Sequence, residues 1–307
     1  MRKAMGIQTT ATQTSDQFKA QIPAKENPQK SKISADTEEK VIEINPSIII
    51  GIILGAIVLV GLFLLFNRNT TQAPETFEDA LVDVQFPLTS NYKKGSDEAG
   101  LVIAEFSDYE CPYCKYFATG IDPSSNQVLG KSIESQLISE FVDTGVAQYI
   151  YSPYSAVPSH SPAFVNNVVA AQCANVQGKF WEYHEQLYSR TRLNGLGIDG
   201  NRSEESSLVS LAESLGLNKD DFLSCYKKRD TSVINSSNDL VSKYIQPAIE
   251  RSGQYIGTPF FVVCKRNEEN QCVGKAFTGA LPIDSFKQVI SIVDPSVVQT
   301  TQPAPTN

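Results

Sequence analysis

The sequence predicts a mixed α/β domain with an inserted block of helices, carried behind a single membrane-spanning helix. Three observations predict it. Residues 48–66 form an unbroken apolar run of 19 residues. After residue 98 the apolar patterns run strand, helix, strand, a block of helices, strand, strand, helix. The segment Cys111-Pro112-Tyr113-Cys114 directly follows the apolar run at 101–106, at a strand-to-helix transition.

Charge narrows the partners. Residues 1–66 hold seven of the 26 Lys and Arg and six of the 34 Asp and Glu, leaving 19 basic and 28 acidic residues behind them. An acidic domain without basic clusters argues against a nucleic-acid partner. All six cysteines lie after residue 110, so the compartment of that half sets their chemistry.

Residues 1–47 are rich in Gln, Lys, Ser, Thr and Glu. With too few apolar side chains to offset the entropy of ordering, they read as a disordered tail. At 1.5 Å rise per residue the run at 48–66 spans roughly 28 Å, enough for the hydrocarbon core. A 47-residue leader with no small-residue cleavage pattern behind the run reads as an uncleaved anchor. Lys30, Lys32 and Lys40 before the span, against Arg68 after it, favour a cytoplasmic N-terminus. Residues 67–98 contain Pro74, Pro87 and Gly95 and read as a tether, with one short element around 77–84.

The folded domain is expected over 99–293. Residues 101–106 read as a buried strand, and a helix starts at Cys111 and ends near Thr119. Residues 132–143 carry apolar side chains at helical spacing, with Gly145 as a stop, and 146–151 is a second strand. The inserted helical block, about 155–252, divides into helices over 162–175, 180–189, 203–215, 220–228 and 230–251. The third opens on a capping-box pattern at Ser203. Residues 259–264 and 273–278 alternate about the polar turn 265–271, which predicts an antiparallel hairpin. Residues 283–293 close as an amphipathic helix, and 294–307, with three prolines, read as a disordered tail.

Three stretches stand in this order: Glu105-Phe106-Ser107-Asp108-Tyr109-Glu110-Cys111-Pro112-Tyr113-Cys114, then Gln177-Gly178-Lys179-Phe180-Trp181-Glu182-Tyr183-His184, then Gly257-Thr258-Pro259-Phe260-Phe261. With the element order, they resemble the thioredoxin-like fold with a helical insertion found in DsbA-type thiol-disulfide oxidoreductases. The likeness runs from about Leu101 to Val293.

At a helix N-terminus, unsatisfied N–H groups and the helix dipole favour a Cys111 thiolate. Cys114, one turn deeper, is then the resolving thiol of an exchange through a mixed disulfide. Pro112 removes a backbone donor and stiffens the turn. Tyr113 brings no charge, which suggests a milder oxidant than a histidine there would give. Zinc uses the same CxxC spacing but needs two further ligands. The chain offers only His160 and His184 and no second CxxC, so neither a metal nor another cofactor is expected.

By the resemblance, Thr258-Pro259 is the cis-proline loop beside the cysteines, where backbone pairs with an extended substrate segment. Glu105 matches the buried acid that relays a proton to Cys114; a solvated edge glutamate is the other reading, and both stand. Asp108, Tyr109 and Glu110 put negative charge beside Cys111, which opposes thiolate formation. His184 reads either as a proton donor or as a packed histidine, and its family position favours packing, as for Phe180, Trp181 and Tyr183.

Cys173 and Cys225 fall in two helices of the block, near neighbours in a helical cap. Cys264 and Cys272 end and begin the strands of the hairpin. Two structural disulfides, Cys173–Cys225 and Cys264–Cys272, are therefore expected, with free buried cysteines as the alternative. One exchange pair and two staples suit an oxidising compartment. With the anchor, this places the domain outside the cell membrane on a single-pass tether. The leading function is an oxidase for unfolded or partly folded secreted proteins, re-oxidised by a quinone-linked membrane partner. Isomerase, reductase and peptide-binding chaperone readings stay open.

Overall fold

The computed structural model describes residues 76–88 and 92–300, except the side chains of 298–300, together with Leu59. The chain divides into two units, and every element below belongs to the second, Thr70–Asn307. The expected tail at 1–47, the apolar span at 48–66 apart from Leu59, and residues 67–75 and 301–307 lie outside the described residues. Among the described residues no helix is long and apolar enough to cross a membrane.

In chain order the elements are β1 (Val82–Pro87), β2 (Tyr92–Lys94), β3 (Leu101–Ser107), α1 (Pro112–Thr119), α2 (Ile133–Leu137) and β4 (Ala147–Pro153). Four helices follow: α3 (Ala163–Val176), α4 (Phe180–Arg190), α5 (Glu205–Ser214) and α6 (Lys219–Tyr226). Then come α7 (Ser232–Leu240), α8 (Gln246–Arg251), β5 (Phe260–Arg266), β6 (Gln271–Thr278), α9 (Ile283–Val293) and α10 (Pro295–Thr300). The six strands form one sheet in the order β1-β6-β5-β3-β4-β2. Only β3 and β4 run parallel, and the other pairs are antiparallel.

All seven residues of the central strand β3 are buried, because it has a strand on each side and helices on both faces. Its period of two divides the side chains. Leu101 and Ile103 face the layer of α1, α2 and α9 with Phe117, Leu137 and Phe286. Val102, Ala104 and Phe106 face α7 and α8 with Leu240, Ile245 and Ile249. Glu105 shares the parity of Leu101 and Ile103 and so lies on the α1 side. A third core, centred on Phe164, Tyr183, Leu208 and Phe222, fills the cap made by α3 to α6.

Several boundaries differ from the sequence expectation. The stretch 67–98 is not wholly a tether, since β1 pairs with β6 and β2 with β4. Alternation in β1 buries Val82, Val84 and Phe86 and exposes the residues between. The segment 232–251 lies mainly against the sheet, with Val233 and Ile234 alone joining the cap core. It is also two helices, because Pro247 lacks an N–H and crowds the preceding turn, so the chain widens into a π turn at Val241–Ile245. The stretch 132–143 likewise ends in a π turn, Ile138–Val142. Ser203 does not cap α5; its hydroxyl accepts from the Ile198 N–H, and Glu204 is the N-cap residue. Pro295–Thr300 is helical where a disordered tail is expected.

Cys173 is joined to Cys225 across α3 and α6, and Cys264 to Cys272 across β5 and β6, with Cα separations of 5.6 and 5.3 Å. The first closes a loop of 52 residues and the second one of 8. On chain entropy alone, removing the first by Cys173→Ser with Cys225→Ser should cost about 4 kcal/mol and removing the second about 2.5 kcal/mol. Denaturant unfolding of the two double variants checks the order, and a larger loss at the short loop would contradict it.

Candidate active site

The end of β3 and the start of α1 set the site. Cys111 is the N-cap residue of α1 and Pro112 opens the helix, where its missing N–H is one that would go unpaired anyway. At the other end Gly120 adopts φ +71°, and a Cβ there would come within 2.4 Å of the Gly130 carbonyl. The backbone of Asp108 holds both cysteines. Its carbonyl accepts from the Cys111 N–H at 3.0 Å, and its N–H donates to Cys114 Sγ at 3.5 Å. Both thiols are free, and both residues are buried.

The two sulfurs are unequal. The Cys111 thiol is lowered to about 6, first by the hydrogen bond from Cys114 and then by the Thr258 hydroxyl and the N–H groups of Cys114 and Tyr113, against the opposing effect of burial. Burial first, and then the neighbouring Cys111 sulfur, push Cys114 well up. Cys111 is therefore the sulfur that ionises near neutrality, and Cys114 keeps its proton. Thr258 and Pro259 lie opposite, joined by a cis peptide bond, and the Thr258 carbonyl accepts from the Cys111 thiol at 3.1 Å. Tyr113 is 66% exposed, so the second inner residue of the motif faces solvent.

Glu105 is fully buried, not a solvated edge residue. It accepts from the Tyr149 hydroxyl through Oε2, while Oε1 makes no hydrogen bond. The charges beside Cys111 are all taken up. Asp108 Oδ2 pairs with His160 Nδ1 at 2.7 Å, and Oδ1 accepts from the Glu110 N–H at 2.8 Å. The hydrogen bond to Asp108 raises the His160 pKa above its ordinary value. Glu110 accepts from Asn167, Thr191, Gly195 and Gly197 at 2.9–3.1 Å, which fastens the cap to the motif. Gly197, at φ +68°, can make this turn only without a side chain, since a Cβ would lie 2.1 Å from the Ser203 nitrogen.

Sequence reasoning missed this buried set: His160, Asn167, Thr191, Ser107 and the tyrosines 149, 151 and 188. The spacing Gly195-Leu196-Gly197 was the one local signal, marking a turn in which backbone N–H groups are free to meet an anion. His184, expected to be packed, is 2% exposed and sits against Tyr109, Tyr151, Phe180 and Trp181.

Burial, with repulsion from Glu134 adding to it and the Tyr149 hydroxyl offsetting it in part, pushes Glu105 up to about 8. The folded chain keeps this proton at neutral pH, whereas the unfolded chain releases it above about 4.5. The carboxyl thus lowers stability progressively from the unfolded value up to the folded one, and does so fully above it. Glu105→Gln should leave the reduced protein unchanged at pH 4 and stabilise it at pH 8 by at least about 1 kcal/mol. Thermal unfolding at both pH values is the check, and an unchanged Tm at pH 8 would return Glu105 to the ionised, solvated state.

Comparisons with known proteins follow the same stretch of chain. A family profile described as thioredoxin matches residues 90–263. The Na(+)/H(+) antiporter NhaA 3 of Salinispora tropica is 25% identical over 146 residues, 47% of this chain and 18% of that protein. Disulfide bond formation protein D of Bacillus subtilis is 26% identical over 98 residues, 31% of this chain and 37% of that protein. The chain therefore spans under a fifth of the length of the curated relatives it first matches. Among solved structures, alpha-DsbA1 of Wolbachia pipientis superposes with a TM-score of 0.49 at 16% identity, over 71% of this chain and 97% of that one. Oxidised BdbD of Bacillus subtilis gives 0.47 at 20% identity, over 69% and 97%. Since the profile covers more than half of the residues and contains the whole CxxC motif, the chain belongs to the thioredoxin family.

Proposed function

We propose that this chain is a thiol-disulfide oxidoreductase that passes the Cys111–Cys114 disulfide to dithiols of other proteins. The observation that carries the reading is the inequality of the two thiols, an ionised Cys111 at the N-terminus of α1 above a buried, protonated Cys114. In the oxidising direction a substrate thiolate attacks Cys111, and Cys114 departs with the electron pair of the broken S–S bond. A second substrate thiolate then attacks the mixed disulfide, releasing Cys111 as thiolate and the substrate as disulfide. The Thr258 carbonyl and the cis Thr258–Pro259 bond border Cys111, where an extended substrate segment can pair with backbone. Glu105, buried with Oε1 unpaired on the same face of β3 as Ser107, offers one route for the proton of Cys114.

A lowered Cys111 pKa stabilises the reduced form and so makes the disulfide more oxidising. This favours donation of disulfides over reduction, and the name of the Bacillus subtilis relative agrees with it. Re-oxidation falls to a quinone-linked membrane partner. Equilibration with glutathione should give a potential between thioredoxin's, about −270 mV, and the about −120 mV of strongly oxidising relatives. A value at or below the thioredoxin figure would overturn the oxidase direction, and the absence of any reversible couple would overturn the activity.

The apolar run at 48–66 and two disulfides outside the exchange pair support a membrane-tethered domain working outside the cytoplasm on secreted proteins. Protease added to intact spheroplasts should then digest the domain. Digestion only after lysis would place it on the cytoplasmic side.

A further inference from the structure

Cys114 is 0% exposed, yet under the proposed function it must gain and lose a proton in every cycle. A substrate joined to Cys111 covers the face by which it arrived. Behind the sulfur, however, buried hydroxyl groups form a row. The Ser107 side chain adjoins Cys114, and its hydroxyl lies 2.9 Å from the Tyr188 hydroxyl. The latter is 3.4 Å from the Tyr151 hydroxyl, and the Tyr151 ring packs against that of Tyr109 with centroids 5.6 Å apart. The Tyr109 hydroxyl is 3.0 Å from His184 Nδ1. On the far side of that ring, Nε2 stands 3.3 Å from Glu134 Oε1, too far off-direction for a hydrogen bond. His184 and Glu134 both line a groove of about 860 Å³ beside Ala118 and Thr119, at the opposite end of α1 from Cys111.

The geometry points to a proton wire: Cys114 exchanges its proton with solvent through Ser107, Tyr188, Tyr151, Tyr109 and His184, ending at Glu134 and the groove. This rests on the oxidoreductase reading for its purpose, though not for its detection. When Cys114 leaves as thiolate, Ser107 gives it a proton and takes one from Tyr188, and the shift repeats outward. His184 gives from Nδ1 and receives at Nε2 by way of Glu134, which passes on a proton from the groove. One proton enters and no electron moves along the row. Re-oxidation runs the same steps in reverse.

Burial pushes the phenols of Tyr109, Tyr151 and Tyr188 well above their ordinary value, so they pass protons as neutral hydroxyls and do not ionise. The other titratable groups facing the row are Glu105 on β3, Tyr149 on β4 and Tyr92 on β2. Glu105 is the competing donor, since its carboxyl also faces Ser107.

The test uses the full chain in its reduced form, moved into D2O, with the infrared S–H band of Cys114 followed as it decays. Tyr109→Phe and Tyr151→Phe each remove one hydroxyl and keep the ring. Each should slow the decay about tenfold or more. Glu134→Gln, which lines the groove and leaves every aromatic ring in place, should slow it in the same sense if a tyrosine variant fails to fold. Decay at the wild-type rate in folded variants would overturn the wire and route the proton through Glu105 and the substrate face. The band needs no substrate, so a chain with no reversible redox couple would sink the oxidoreductase reading while leaving this measurement intact.

Discussion

Seating a thiol completely under a helix is the constraint from which the rest of this molecule follows. Cys114 is fully closed to bulk solvent, so what its sulfur needs is supplied by the protein packed around it. The end of β3 supplies it. Ser107 and the Asp108 N–H reach the sulfur, and Glu105 lies two residues back on the same face of the strand. A strand buried on both faces would ordinarily be apolar throughout. Here two of its last three residues, Glu105 and Ser107, are polar, and they need the hydroxyl groups of β4 and α4 to keep their polar atoms paired.

The cap is held by the same logic. Glu110 is an acid with no exposed surface, and it is tolerable there because four donors from α3 and the 191–197 turn converge on it. Its neighbour Asp108 is matched by His160 from the turn that leads into the cap. The motif therefore does not simply sit on the domain. Two of its carboxylates tie the sheet to the cap, so motion of the cap would be felt at Cys111.

Much of this could be read in advance. The run at 101–106, the CxxC after it and the alternation around the 265–271 turn place β3, α1, β5 and β6, because each is a local pattern with a local cause. Strands β1 and β2 were hidden, since one lies among tether-like residues and the other is three residues long; each becomes a strand through its partner, β6 or β4. The polar set was hidden for a related reason. Asp108 and Glu110 looked like loose charge beside Cys111 because their partners lie 52 to 87 residues away. Glu105 could be read both ways until the parity of β3 and the pairing on each side put it inside.

The separation of six cysteines into two kinds has a further meaning. In-line attack on a disulfide needs a clear approach to one of its sulfurs. Cys264 and Cys272 are fully buried and Cys173 nearly so, which leaves only the half-buried Cys225 within reach of a neighbouring thiolate. Under the proposed function the chain meets thiolates and disulfides in every cycle, including those of other copies of itself. With three of the four staple sulfurs closed to a nucleophile, the permanent bonds are open to attack at Cys225 alone, far from the exchange pair in the chain.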